Sequence, residues 1–208
     1  MGGAGRIHRT GMAALALAAA LALSACEGWP RVLHPIVSEK EQASAPELLG
    51  EWQIPEESEL LRFEEHKGQR RLLEFRPASP NGDDTENHEE EIKAVYEYRV
   101  LRVGRYLVLE LTEQSSRDES ISAPAHLLLR IEIFGDSMDL RLLSGKWVRE
   151  GLEQGRLDLA HENLEDGSLL ITASTKELQK FLSSNAWDDM AFPQEGATYQ
   201  RRSPAPRK

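Results

Sequence analysis

Ser137 and His161 are the residues whose types and spacing come closest to nucleophilic catalysis. Ser137 follows Gly135-Asp136 at the end of an apolar run, and His161 ends the pattern Asp158-x-x-His161. A serine hydroxyl becomes a nucleophile when a histidine accepts its proton, and an acidic neighbour orients that histidine. The two patterns together therefore contain the residue types of a hydrolase site.

The block Gly135-Asp136-Ser137 resembles the nucleophile block of GDSL-type esterases, whose later block is D-x-x-H. That resemblance implies a parallel α/β sheet in which Ser137 and His161 form the catalytic pair. Too few residues separate the two for the βαβ units that join parallel strands, and strand alternation continues after Ser137. We therefore expect Gly135-Asp136 to be a hairpin turn and predict no catalytic residue.

Two groups of residues have types that bind metal ions. The acidic stretch 83–91 offers carboxylates to Ca²⁺, but it lacks the glycine of an EF-hand loop, so a solvated loop is the prediction. The histidines after the leader show no i, i+4 pair or other ligand spacing; they are His34, His66, His88, His126 and His161. We predict no metal site and no cofactor.

Composition excludes several classes of protein. The chain has 208 residues and a formal net charge of -10, and this acidic balance argues against nucleic acid as a partner because phosphate contacts need clustered Lys and Arg. A single cysteine excludes an intramolecular disulfide and every multi-cysteine metal site. The hydrophobic fraction of 40% suits one packed domain.

The N-terminus has the pattern of an export signal. Arg6 and Arg9 precede residues 11–23, an unbroken run of Ala, Leu, Gly and Met. That run is too short to span a bilayer, which takes about 20 apolar residues. A buried helix is the alternative, but a core helix would have a polar face. We predict a signal peptide over residues 1–25.

The run ends in Leu23-Ser24-Ala25-Cys26, which resembles the lipobox of bacterial lipoproteins. The resemblance implies a diacylglycerol on the Cys26 thiol, cleavage before Cys26 and acylation of the new amino group. Glu27 at the next position implies sorting to the outer membrane, with the protein facing the periplasm. The covalent lipid would be the membrane anchor. Residues 26–45 contain Pro30 and Pro35 and show no periodicity, so we expect a flexible tether spanning roughly 25 Å.

Alternation of apolar and polar residues dominates the rest of the chain and predicts a mainly β domain over residues 46–202, followed by a tail over 203–208. The predicted strands are 49–52, 58–66, 69–76, 92–103, 105–112, 126–134, 138–143, 156–161, 168–172 and 198–202. Two short helices are predicted, over 146–153 and after the capping box that begins at Ser174. An antiparallel barrel or barrel-like sheet would pair the edges of so many strands.

The predicted first strand contains Gly50-Glu51-Trp52, which resembles the G-x-W motif that opens the lipocalin barrel. The resemblance implies that Trp52 packs under an arginine from near the end of the barrel, either Arg201 or Arg202. Lipocalins carry their main helix after the last strand, whereas both helices here precede it. The aromatic residues either fill the barrel core or line an apolar pocket, and the candidate ligand-pocket residues are Trp52, Tyr96 and Tyr98.

These patterns predict where the protein lies better than what it does. We expect a non-catalytic structural, adaptor or accessory lipoprotein of the bacterial envelope, which contacts the membrane through its lipid and also contacts other envelope proteins. The alternative is a lipocalin-like carrier of a small hydrophobic ligand. An esterase using Ser137 and His161 ranks third.

Overall fold

The computed structural model describes residues 29–77, 90–114, 125–194 and 198–202. The predicted signal peptide, Cys26 and residues 83–89 of the acidic stretch lie outside these ranges, so the predictions made for them stay predictions. Within the described ranges, no helix is long and apolar enough to cross a membrane.

Eight antiparallel strands form a closed barrel, which confirms the predicted fold class. The strands are β2 (Gly50–Gln53), β3 (Leu60–His66), β4 (Gln69–Arg76), β5 (Glu91–Val103), β6 (Tyr106–Glu113), β7 (Leu127–Phe134), β8 (Ser137–Leu142) and β11 (Thr198–Arg201). The first seven pair in chain order, and β11 closes the cylinder by pairing with both β8 and β2.

The segment Gly135-Asp136 is the hairpin turn between β7 and β8, as predicted. Gly135 has a φ of 62°, a left-handed conformation that glycine adopts without strain. Phe134 and Ser137 on either side are paired across the two strands. The residues that suggested a nucleophile block therefore continue a β-ladder.

Side chains from alternate strand positions fill the barrel interior. The buried residues of this core are Ala45, Leu48, Trp52, Leu61, Phe63, Leu72, Tyr96, Tyr98, Val100, Leu107, Leu109, Leu111, Leu129, Ile131, Met138, Leu140 and Tyr199. Two-residue periodicity puts these positions on one face of the sheet, and closing the sheet turns that face inward.

A second layer packs on the outside of β6 and β7. It contains a small sheet in the order β1 (Arg31–Val32), β10 (Leu169–Ile171), β9 (His161–Asn163), together with the helices α1 (Gly145–Glu153) and α2 (Thr175–Asn185). Outward-facing Val108 and Leu128 of the barrel join apolar residues of these elements in a second core. The domain therefore has two cores separated by the barrel wall.

Both helices begin at a serine N-cap, and the cap of α2 is the predicted one. The Ser144 hydroxyl accepts a hydrogen bond from the Trp147 backbone N–H at the start of α1. At the start of α2, Ser174 and Glu177 form the predicted capping box, each side chain bonding the other's backbone N–H. Such caps satisfy the unpaired N–H groups of a helix N-terminus.

The prediction of a flexible tether over residues 26–45 is wrong for the described part of that segment. Val32 and Ile36 are completely buried in the second core. The Ala43 N–H donates to the Val100 carbonyl of β5 at 2.9 Å. Burial here depends on α2 and β6, which are distant in sequence, so no local periodicity reveals it.

The predicted strand over residues 156–161 is also wrong. The chain leaves α1 through a turn at Gly155, and strand β9 begins only at His161. All three residues of β9 are exposed, so this strand lacks the buried face whose alternation would reveal it.

Candidate functional site

Trp52 and Arg201 close one end of the barrel. Trp52 is completely buried, and the Arg201 guanidinium lies 4.2 Å from the centre of its ring. Arg201 also donates to the carbonyls of Leu49 and Glu47, at 2.8 and 2.7 Å. The Trp52 indole N–H donates to the Leu48 carbonyl at 2.8 Å. Together these bonds fix the short 3-10 helix Pro46–Leu48 against the barrel.

Strand register selects Arg201 over Arg202 as the partner of Trp52. Arg201 is paired with Trp52 between β11 and β2, so the two side chains share the inner face. Arg202 lies on the other face, 3.7 Å from the Glu51 carboxylate. Gly50 has a φ of 116°, and a Cβ there would lie 3.3 Å from the Arg201 guanidinium. The G-x-W glycine therefore has both a backbone and a packing role.

The candidate ligand-pocket residues all lie inside the barrel but belong to its packed core. All three are buried there, and the Trp52 ring packs against Arg201 at the closed end of the barrel. Two further aromatic residues, Trp147 and Phe181, lie in the second core instead, where their rings are 6.3 Å apart. These aromatic residues therefore divide between two separate cores.

Glu74 of β4 is an acidic residue inside the barrel. It is paired with Leu61 on one side and Ala94 on the other, both inward-facing. Only 3% of Glu74 is exposed, and its Oε2 has no hydrogen-bond partner among the residues that the structure describes. Burial, together with the nearby Glu59 carboxylate, raises the pKa of Glu74. A buried oxygen without a donor is costly, so a donor or a proton at this position would be stabilising.

Three tyrosines share the interior with Glu74. Burial raises the pKa of Tyr96 and of Tyr199, and the Glu74 charge adds to both shifts. Burial also raises the pKa of Tyr98, to about 12. The three tyrosines therefore stay neutral at physiological pH.

A second buried polar cluster ties the N-terminal segment to the barrel wall. The Glu110 carboxylate accepts hydrogen bonds from the Ile36 backbone N–H at 2.6 Å and from Arg99 at 2.8 Å. His126 Nδ1 lies 2.7 Å from the Thr112 hydroxyl and 3.4 Å from Glu110. This cluster satisfies a charge that would otherwise be buried without partners.

Burial changes the titration of both groups in this cluster. Burial is the main cause that lowers the pKa of His126 to about 4, and the Arg99 charge adds to the effect. Burial raises the pKa of Glu110, whereas its bonds to Ile36 and Arg99 oppose the rise. His126 is therefore neutral at neutral pH, and its backbone is paired with that of Val32 through two hydrogen bonds of 2.9 Å.

Two arginines of the barrel wall fasten the loop that follows α2. Arg130, with no exposed surface, and Arg141 both donate to Asp189 Oδ1, at 2.6 and 2.9 Å. Arg130 also donates to the Ala186 carbonyl at 3.1 Å. The hydrogen bond from Arg130 lowers the pKa of Asp189. Within the described ranges of the chain, the Nε atoms of both arginines are buried without a hydrogen-bond partner.

Alternation offers a signal for one of these buried acids but not for the other. Glu74 follows Leu72 at a two-residue interval in β4, so the strand pattern places it inward. Glu110 alternates with inward-facing leucines in β6, so its side chain lies on the outer face of the barrel. The sequence pattern predicts that this face is exposed to solvent. The burial of Glu110 depends on the second layer, which no local pattern reveals.

Ser137 and His161 are not brought together as a catalytic pair. The Ser137 hydroxyl lies 3.1 and 3.0 Å from the side-chain amide of Gln200, in the barrel. His161 lies in the small outer sheet, and its Nδ1 is 2.9 Å from the Leu159 carbonyl. In the part of the chain that the structure describes, no three Asp, Glu, His or Cys residues are grouped as metal ligands.

No family model, curated protein or solved structure matches this chain.

Proposed function

We propose that this chain is a lipid-anchored lipoprotein of the bacterial envelope with a non-catalytic structural, adaptor or accessory role. The observation that carries the proposal is the lipobox Leu23-Ser24-Ala25-Cys26 directly after an apolar leader. Cys26 is the only cysteine in the chain. The domain that follows therefore has no thiol to compete for the lipid, which suits an oxidising compartment.

The position of the fold supports this proposal. Cleavage before Cys26 leaves all eleven described strands and both helices intact, because the first strand begins at Arg31. The chain that begins at Cys26 after cleavage retains Pro30, which is buried in the fold. The proposed processing site and the fold are therefore compatible.

Two exposed apolar side chains support the adaptor role. Trp187 and Met190 flank Asp189 in the loop after α2, and they are 63% and 72% exposed. Arg130 and Arg141 hold this loop against the barrel wall. Tryptophan is enriched in protein interfaces and among the residues that carry most of their binding energy.

Radiolabelled palmitate tests the anchor directly. The unsubstituted chain should incorporate the label and fractionate with membranes, whereas Cys26→Ser should lose both properties. Ser24→Ala is the matched control, because it keeps a small residue in the lipobox and should remain labelled. Labelling that persists in Cys26→Ser, or is absent from the unsubstituted chain, would contradict the proposal.

A second candidate function is a lipocalin-like carrier of a small hydrophobic ligand. It is favoured by the Trp52–Arg201 contact at one closed barrel end, which the lipocalin resemblance implies. The unpartnered Glu74 oxygen is a further interior group that a ligand donor would satisfy. Mild organic extraction of the Cys26→Ser chain, followed by mass spectrometry, should then recover a bound apolar molecule. Recovery of none would refute the carrier function.

A further inference from the structure

We infer that the lipid holds the corner of the domain around Arg31 directly against the phospholipid headgroups, rather than letting the domain float above them. This inference rests on the proposed function, because it requires a lipid on Cys26. It adds the orientation of the anchored domain and identifies the bilayer itself as the partner of one particular surface.

The link between the anchor and the fold is very short. Four residue steps lead from Cys26 to Pro30, which is buried. A fully extended chain spans at most about 3.6 Å per residue, so Pro30 lies within about 14 Å of the Cys26 Cα. Headgroups occupy about 5–7 Å of each leaflet. Even at full extension, Pro30 therefore lies no more than about 7–9 Å above the headgroup layer.

The fold does not release more chain to lengthen this link. Arg31 and Val32 are paired with Leu170 and Ile171 of β10. Val32 also exchanges two backbone hydrogen bonds of 2.9 Å with His126, at the start of β7. Detaching β1 would break this pairing and expose the fully buried Val32 side chain, so the link stays short while the domain is folded.

Charge does not account for attachment at this corner. The exposed residues near Arg31 include Glu162, Glu165 and Asp166, and Arg31 itself lies 3.7 Å from Asp166. Arg149 is the nearby cation, and it donates to the Gly167 carbonyl at 3.2 Å. Such a surface does not attract anionic lipids. The contact should therefore form on zwitterionic bilayers and resist high salt.

The opposite end of the barrel points away from the membrane. Strand β7 leads from His126, beside Val32, to Phe134, and eight residues of strand span about 27 Å. Phe134 is 62% exposed. A probe at this position should therefore stay remote from the headgroups, whereas a probe at Arg31 should be close to them.

Headgroup quenching distinguishes the two ends of the domain. Lipidation blocks the Cys26 thiol, so Arg31→Cys and Phe134→Cys each provide one free thiol for a bimane fluorophore. Both lipidated chains are reconstituted in phosphatidylcholine vesicles that carry a nitroxide on a fraction of the headgroups. We expect several-fold stronger quenching at position 31 than at position 134, unchanged by high salt.

Lengthening the link provides the control. A 20-residue Gly/Ser insertion after Glu27 adds an r.m.s. span of roughly 25 Å and should abolish the difference between the two probes. Equal quenching at both positions of a lipidated chain, or a difference that survives the insertion, would overturn this inference and leave the proposed function standing. A chain that carries no palmitate would overturn both.

Discussion

Replacement of His126 by Asn tests the buried cluster that joins the N-terminal segment to the barrel. The His126 side chain is only 8% exposed and its Nδ1 lies 2.7 Å from the Thr112 hydroxyl. An asparagine amide can occupy the place of Nδ1 and keep this hydrogen bond, but it does not titrate. The variant therefore removes the proton equilibrium while retaining the polar contact.

The size of the effect follows from the shift of the His126 pKa, from 6.5 to about 4. Each unit corresponds to about 1.4 kcal/mol, so full protonation should cost about 3 kcal/mol of folding free energy. In the unfolded chain His126 is protonated below about pH 6.5, whereas in the folded chain it is protonated only below about pH 4. The stability contributed by neutral His126 is therefore complete above pH 6.5, is lost progressively as the pH falls from 6.5 to about 4, and is gone below that.

Glu110 acts in the opposite direction, because its pKa is raised in the folded state. On acidification Glu110 is protonated in the folded chain before it is protonated in the unfolded chain, and this favours folding. The contribution of His126 is therefore measured as the difference between two chains that both contain Glu110. In urea unfolding at pH 7 and pH 5, the unsubstituted chain should lose about 2 kcal/mol more than His126→Asn. Thr112→Val keeps the imidazole and should retain this pH dependence. Parallel behaviour of the unsubstituted chain and His126→Asn would refute the reasoning.

Three further substitutions test the closed end, the N-terminal segment and the barrel interior by urea unfolding. Arg201→Ala should cost about 2 kcal/mol, because it leaves two partly buried carbonyls without donors and uncovers an indole. Arg202→Ala should cost much less, and equal losses would contradict the assignment of Arg201 as the partner of Trp52. Ile36→Ala should cost about 3 kcal/mol because the side chain is fully buried. Lys40→Ala, at an exposed position, should be nearly neutral. An equally small loss for Ile36→Ala would support a flexible tether over this segment instead. Glu74→Gln should raise the free energy of unfolding at pH 7. This gain should shrink on acidification, because the raised pKa of Glu74 makes the unsubstituted chain more stable as the pH falls. A gain that does not depend on pH would argue against a buried charge at Glu74.

The barrel could be predicted from the sequence because its signal is local. Strands such as β5 and β7 alternate between a buried interior and a more polar outer face, and turn residues such as Gly135 separate consecutive strands. Both helices carry their own capping residues. Each of these elements is specified by neighbours in the sequence, so the fold class needs no knowledge of tertiary contacts.

The second layer and its polar contacts could not be predicted in the same way. Ile36 is buried by α2 and by the barrel wall, and Glu110 is an outward-facing acid that this layer covers. The sequence likewise left open whether Arg201 or Arg202 contacts Trp52, because the two are adjacent. One residue of strand register decides which of them faces inward.

The place of β11 in the chain has a consequence for the order of folding. This strand joins β8 to β2, yet α1, the small outer sheet and α2 all lie between β8 and β11 in sequence. The cylinder therefore cannot close until β11 has been synthesised, and until then the β2 and β8 edges that it pairs with stay open. Contacts of such large sequence separation form slowly, and open strand edges favour aggregation. A chain truncated before Thr198 should accumulate as an open sheet, so the four residues of β11 decide whether the earlier strands close into a barrel.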